Sequence, residues 1–508
     1  MFAVPTWDGA TGIIWRQGHQ VTFISINFLV FLLITAAVHF ALPVRTRWAW
    51  LLAASLVFYG LSEPLFLVQI LAVTGITFWF GQKIETAPTK AAKQRWLTPA
   101  ILLLVGNLVV FKYTPFFNET LRSIFGLAHL GYPFPEIHWL LPLGISFYTF
   151  QLLSYLIDIF RGQKAERDAG MFAFYVMFFP KLVAGPIERA KNLLPQMHAR
   201  PRFDYAQVVQ GLQLLMWGAI QKVAIADRIA PFVNRVYDDP NAANGVQVAF
   251  ATLLYAFQIY ADFAGYTNMA LGISLIFGYR LTQNFNLPYF AVSTPDFWKR
   301  WHISLTSWLT DYVYTPLTRQ KKFKIKLFTL MMYSLLVTFV VSGFWHGANW
   351  TYVAWGALHG VYVVASLLFQ KQRNAFAHRI KLTEWPNLHR GIKIGATFFL
   401  VCFAYILFRA GSMGDAIHMY GVLGTGWGEV GHSLRGVVQW DTNEFLLVLL
   451  GIVVLIGADI LRGRMDVGAR IMAASAVFRW SVRIAGTLVF AVLGAFYSGQ
   501  AQFIYFRF

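Results

Sequence analysis

Long apolar runs recur along almost the whole chain, and a run of about 20 predominantly apolar residues is what a helix needs to cross the hydrocarbon core of a bilayer. Such runs lie near residues 21–42, 48–80, 97–115, 139–160, 171–186, 205–227, 246–278, 327–343, 350–370, 392–410, 443–461 and 478–498. The second is expected to break in two at Glu63 and Pro64, because proline cannot continue a helix that precedes it. The pattern predicts an all-α polytopic membrane protein with about 11–13 membrane helices, forming a single integral-membrane domain over residues 1–508. Composition agrees: 57% of residues are hydrophobic and 13% charged, far from globular usage, and no stretch is left over for a soluble domain of ordinary size.

A formal charge of +19 raises the question of nucleic acid. The cations, however, sit in short clusters between apolar runs, as at Arg45 and Arg47, Lys83 to Arg95, Lys181 to Arg202, Arg319 to Lys326 and Lys371 to Lys381. That is the positive-inside pattern of loops facing anionic lipid headgroups, so the partner it implies is membrane lipid and not nucleic acid. Arg16 followed by the apolar segment Val21 to Leu42 is too long for a cleaved signal peptide and reads as a retained first span with the N-terminus outside. Cys402 is the single cysteine, which excludes an internal disulfide and a cysteine-based zinc site; no metal requirement is visible.

Residues 281–326 break the pattern, mixing Trp, Tyr, Asn, Asp, Lys and His with Pro288, Pro295 and Pro316. Polar, non-helical backbone at membrane depth is tolerated only when buried in protein or lining a wet cavity, so re-entrant or interfacial helices around a central funnel are expected. The glycine-rich segment Gly421 to Asn443 reads as an exposed loop between two spans. No internal repeat is evident, and no two halves carry matching broken helices as inverted-repeat transporters do.

Three polar, aromatic patches stand out. Phe178 to Arg189 interrupts an apolar run with two prolines and a glycine and then supplies Glu188 and Arg189; it reads either as part of a site or as a helix end with a cytoplasmic ion pair. Asn284 to Leu317 holds Phe297-Trp298-Lys299-Arg300-Trp301-His302-Ile303-Ser304, in which a helix would put His302, Thr306 and Arg300 on one face; the alternative is an amphipathic helix anchored at the headgroups. Ser342 to Trp350 places His346 between Gly343 and Gly347, flanked by strongly apolar runs. A histidine inside a span is a functional hypothesis by default, although one at a loop end in the interface costs little.

Phe178 to Arg189, the Asn284 to His302 block and Trp345-His346-Gly347 together resemble the signature of the membrane-bound O-acyltransferase family, most closely its bacterial alginate O-acetylase branch and more distantly the D-alanyl transfer protein of teichoic acid synthesis. Tyr260 to Ala270 and Gln502 to Phe508 resemble that branch too, so five blocks match in order; Thr318 to Lys321 departs from the Gly-Gly-x-Arg turn often found there. The resemblance implies an O-acetyltransferase of the bacterial inner membrane, with core signature at about 171–370. It implies His346 as catalytic histidine and His302 as its polar companion, with Asn286, Trp298, Arg300, Trp301, Ser304, Asp311, Trp345, Asn349 and Asp262 as candidate substrate-binding residues. It further implies a cytoplasmic acyl thioester such as acetyl-CoA as donor substrate, no bound cofactor, and a separate periplasmic acetyltransferase as partner. Lys299, Arg300 and Arg189 are candidates for a basic mouth contacting donor phosphates. Competing readings are peptidoglycan or other envelope O-acetylation, a transporter of a lipid-linked or acyl intermediate, and a scaffold of an export complex.

Overall fold

The computed structural model describes residues 5–8, 12–15, 23–137, 139–320, 326–439 and 441–495. Gln502 to Phe508, Lys321 and Arg16 lie outside the described residues. Apart from a short antiparallel ribbon, Pro5–Asp8 against Gly12–Trp15, and one isolated bridge taken up below, the regular structure there is helical. Nine helices among the described residues are long and apolar enough to cross a bilayer: Pro64–Thr86, Lys90–Leu127, Tyr205–Tyr237, Gly245–Ile276, Leu327–His346, Trp350–Leu368, Pro386–Arg409, Thr442–Arg464 and Ala476–Leu493. Two shorter apolar helices, Ile26–Ala41 and Ile145–Phe160, join them. The chain is thus an all-α polytopic membrane protein. The expected break falls at Glu63, where Arg47–Ser62 ends and Pro64 opens the next helix at a position whose amide needs no intrahelical partner.

Two expectations are corrected. The run at 171–186 is no span: Ala169–Met177 stops at Phe178, a single turn Phe179–Leu182 follows, and Pro180, Gly185 and Pro186 keep the backbone from continuing as helix. The segment Gly421 to Asn443 is no plain loop, because it contains the helix Val430–Val438 with Ser433 and Val437 buried. Asn244 donates to the Ser433 hydroxyl at 2.8 Å and Arg235 to the Val437 carbonyl at 2.7 Å, so tertiary hydrogen bonds hold a helix that its glycines disfavour.

The chain divides into two compact units, Met1–Leu215 with Met269–Thr282, and Met216–Asn268 with Gln283–Phe508. In the first, Glu188 and Arg189 are both buried. Glu188 accepts from the backbone amide and hydroxyl of Thr282, and Lys181 donates to Gln151 at 2.7 Å and to the Val176 carbonyl at 3.2 Å. The broken helix is therefore internal, and its Lys181 and Glu188 find their partners within the protein, as membrane depth requires.

The part of the helix Tyr205–Tyr237 that belongs to the second unit carries a π-bulge over Gln221–Ala226. Lys222 on that bulge reaches Asp227 at 2.7 Å and Asp262, from the helix Gly245–Ile276, at 2.8 Å. All three are buried, where ions persist only if paired. The two helices approach closely at glycines: a methyl on Gly265 would lie 2.8 Å from the Gly218 carbonyl oxygen, the small-residue contact typical of membrane helix pairs. Charge pairing and close approach together fix which face of Gly245–Ile276 turns toward its neighbours.

Candidate functional site

The next residue after Asp262 is Phe263, whose ring meets the edge of the His302 ring at 4.7 Å. His302 is fully buried and lies between the short helices Thr294–Trp298 and Ile303–Leu309. Its placement comes from an antiparallel pairing with a segment 18 residues upstream. The Asn286 amide donates to the Arg300 carbonyl at 2.9 Å, the Ile303 amide donates to the Asn284 carbonyl at 3.0 Å, and Phe285 opposes Trp301. His302 itself adopts φ +45°, a left-handed conformation that non-glycine residues hold only when their surroundings impose it.

That geometry puts His302 at the N-cap of Ile303–Leu309, but its side chain makes no capping hydrogen bond. Asn284 does the capping from a distance. Its side-chain oxygen accepts from the Ser304 amide at 3.2 Å and from the Ser304 hydroxyl at 2.6 Å, satisfying one of the amides a helix start leaves open. The predicted helical face of His302, Thr306 and Arg300 does not form, because the helix begins only at Ile303 and Arg300 is held by Asp296 at 2.9 Å. Trp301 stacks between Phe297 and Tyr289, with ring centres 5.5 and 6.0 Å away, which braces the residue before His302.

His346 is the last residue of Leu327–His346, and the next helix, Trp350–Leu368, starts after three residues. Asn349 caps it by accepting from the Thr351 amide at 3.0 Å and donates to the Gly411 carbonyl at 3.3 Å. A side chain at Gly343 would collide with the Tyr352 carbonyl and one at Gly356 with the Phe339 carbonyl, so the two helices form a hairpin that only glycine permits. His346 is buried at its tip among Trp345 at 5.0 Å, Trp355 at 5.0 Å and Phe408 at 5.4 Å.

The centres of the His302 and His346 rings are 6.1 Å apart, and Trp345 lies 5.6 Å from His302. An imidazole nitrogen sits about 1.2 Å from its ring centre, so no nitrogen of one ring is within direct hydrogen-bond distance of a nitrogen of the other. Burial pushes the His302 imidazole down to about 3.

Of the other sequence-predicted residues, Trp345 lies against both rings, and Trp301 and Ser304 are buried within two residues of His302 in the chain. Trp298 packs on Trp355 at 5.7 Å. Asn286 contributes backbone pairing, Asn349 caps, Asp262 belongs to the Lys222 ion cluster, and Asp311 and Lys299 are exposed. Arg189 is in the first unit. Sequence reading passed over His359, fully buried midway along Trp350–Leu368 and ringed by aromatics; a histidine inside an apolar span was the available signal. Among the described residues, no group of His, Cys, Asp and Glu is arranged to hold a metal ion.

This is the layout of a multi-pass membrane protein with two buried imidazole rings close together among aromatic side chains. The family model for the membrane-bound O-acyltransferases matches residues 168–408, which include both histidines. The chain is 35% identical over 438 residues to the probable alginate O-acetylase of Azotobacter vinelandii, spanning 85% of this chain and 83% of that one. It is 30% identical over 426 residues to the peptidoglycan O-acetyltransferase of Helicobacter pylori, spanning 78% and 76%. It is also 27% identical over 275 residues to the teichoic acid D-alanyltransferase of Bacillus subtilis, spanning 52% and 68%. The chain belongs to the membrane-bound O-acyltransferase family and is an acyltransferase.

Proposed function

We propose that this protein moves an acetyl group from a cytoplasmic thioester, such as acetyl-CoA, across the bacterial inner membrane for O-acetylation of an exported polysaccharide such as alginate. The observation that carries this reading is the pair of buried imidazoles 6.1 Å apart, inside the family-matched region of a chain similar to alginate O-acetylases over most of its length. In this reading His346 is the general base: it takes the proton of the acceptor hydroxyl as that oxygen bonds to the acyl carbon. The carbon–sulfur bond then breaks and the proton passes from His346 to the leaving thiolate, so protons and electron pairs balance. A base so placed typically contributes about 10² to 10⁴-fold. His302, kept neutral by burial, donates a hydrogen bond to the carbonyl oxygen as negative charge develops there. The aromatic walls exclude water that would otherwise hydrolyse the thioester.

Lys299, exposed at the end of Thr294–Trp298, serves as a contact for donor phosphate. A separate periplasmic protein carries the acetyl group onward to the polymer. Peptidoglycan is the second acceptor reading, favoured by the similarity to the Helicobacter enzyme. The test is polymer acetyl content in cells lacking the native protein and complemented with wild type, His346→Ala or His302→Ala at matched membrane abundance. Collapse of acetylation in both variants is expected; full acetylation with His346→Ala refutes the catalytic assignment.

A further inference from the structure

Beyond Trp355 lies a second ring cluster that the transfer chemistry above does not use. Trp298 and Trp355 meet the His359 ring edge-on at 5.0 and 4.9 Å and each other at 5.7 Å, and Phe297 lies parallel to His359 at 6.3 Å. Both ring nitrogens of His359 and the indole nitrogens of Trp298 and Trp355 are buried without a hydrogen-bond partner. Buried polar atoms are ordinarily paired, and Phe or Leu fills such a space without stranding any. Four unpaired nitrogens on three mutually touching rings therefore point to a guest.

The chemistry of that guest follows from the donor and acceptor count. Each indole offers one donor, and a neutral imidazole offers one donor and one acceptor. Two of the three donors and the one acceptor, none charged, complement a secondary amide, whose carbonyl oxygen accepts two hydrogen bonds and whose N–H donates one; the third donor is left for a second acceptor on the same guest. Trp355 also faces His346 at 5.0 Å, so this cluster and the histidine pair share a wall. We propose that Trp298, Trp355 and His359 form a subsite for an amide group in the arm of the acyl donor, a few bonds from the thioester, holding the reacting carbonyl at His346. The proposal rests on the acyl-transfer reading above and adds which part of the donor is gripped, and where.

The test uses full-length protein in lipid nanodiscs and two probes: a ketone analogue of acetyl-CoA, in which a methylene replaces the thioester sulfur, and a short acetyl ketone without amides. Wild type is expected to bind the amide-bearing probe saturably and the short one weakly. His359→Phe and Trp298→Phe are each expected to weaken the amide-bearing probe by about tenfold, the scale of one lost buried hydrogen bond, with no change for the short probe. His359→Gln, which retains a donor and an acceptor, restores most of the affinity, an effect that mere packing would not produce. Unfolding temperatures of the same samples identify any variant that fails to fold, and His359→Gln then carries the comparison. Equal binding of the amide-bearing probe by wild type and both variants refutes the subsite alone. Absence of saturable binding by wild type refutes the donor assignment itself, and the subsite with it.

Discussion

Asn284→Ala isolates the distal cap beside His302. The substitution removes the acceptor for the Ser304 amide and hydroxyl, at 3.2 and 2.6 Å, in a place where Asn284 and Ser304 are both buried. Losing a helix cap costs about 1 kcal/mol and stranding a buried donor about 1–3 kcal/mol, so local destabilisation of about 2–4 kcal/mol is expected. The backbone bond from the Ile303 amide to the Asn284 carbonyl survives, so the helix start loosens while the pairing remains. The left-handed backbone at His302 is the strained element nearby and relaxes first. A shift of about 1 Å in a reacting group costs on the order of 10²-fold in rate, and acyl transfer is expected to fall by about that much with membrane abundance near wild type. Acetyl transfer in nanodiscs, together with a cycle including Ser304→Ala, reads this out. The double variant should lose less than the two single losses combined, because a missing acceptor matters most when its donors are present. Activity of Asn284→Ala within twofold of wild type, or strictly additive losses in the cycle, refutes distal capping as what positions His302.

Gly343→Ala should pry apart the helical hairpin at the Tyr352 carbonyl, costing about 1–3 kcal/mol and most of the activity. Gly457→Ala, where an added methyl meets nothing within 4 Å, should be neutral in the same thermal-unfolding assay. Lys222→Met leaves Asp227 and Asp262 buried without their shared cation; a loss of about 3–5 kcal/mol is expected as collapsed yield of monodisperse protein, recovered in part by adding Asp227→Asn and Asp262→Asn. His302, pushed by burial from the ordinary 6.5 to about 3, binds fewer protons folded than unfolded between those values. Its contribution to stability is therefore intact above about pH 6.5 and declines as the pH falls toward 3. By the same argument His302→Gln should lower the rate without moving the acid limb of the pH–rate profile, and a displaced limb would show that His302 titrates in catalysis.

The membrane helices were readable because a bilayer dictates both length and composition; even the break at Glu63 and Pro64 follows from proline's missing amide. The run at 171–186 was over-read, since apolar composition alone cannot distinguish a chain facing lipid from one packed inside protein. At the site, the two histidines were legible as polar groups in apolar surroundings. The means of placing His302 was not, because capping signals are read from neighbouring residues and the cap here comes from Asn284, 20 residues upstream. Nor was the buried ion pair of Asp262 with Lys222 legible, because the two residues are brought together from different helices. His359 stayed hidden because no polar residue within a helical turn of it marks a site; its neighbours are tryptophan and phenylalanine rings that a sequence presents as ordinary core.

The short turn between Leu327–His346 and Trp350–Leu368 bears on the order in which the protein is assembled. Helices joined by three residues close on each other at little entropic cost, so this hairpin can form as soon as both have entered the membrane, bringing His346 together with Trp345 and Trp355. His302 has no such local route. Its surroundings come from Phe263, Asn284 and Trp345, drawn from across some 80 residues of chain, and they converge only when the unit has closed. The surroundings of His346 are thus built early and those of His302 late, so the two imidazoles come together only in the last stage of assembly.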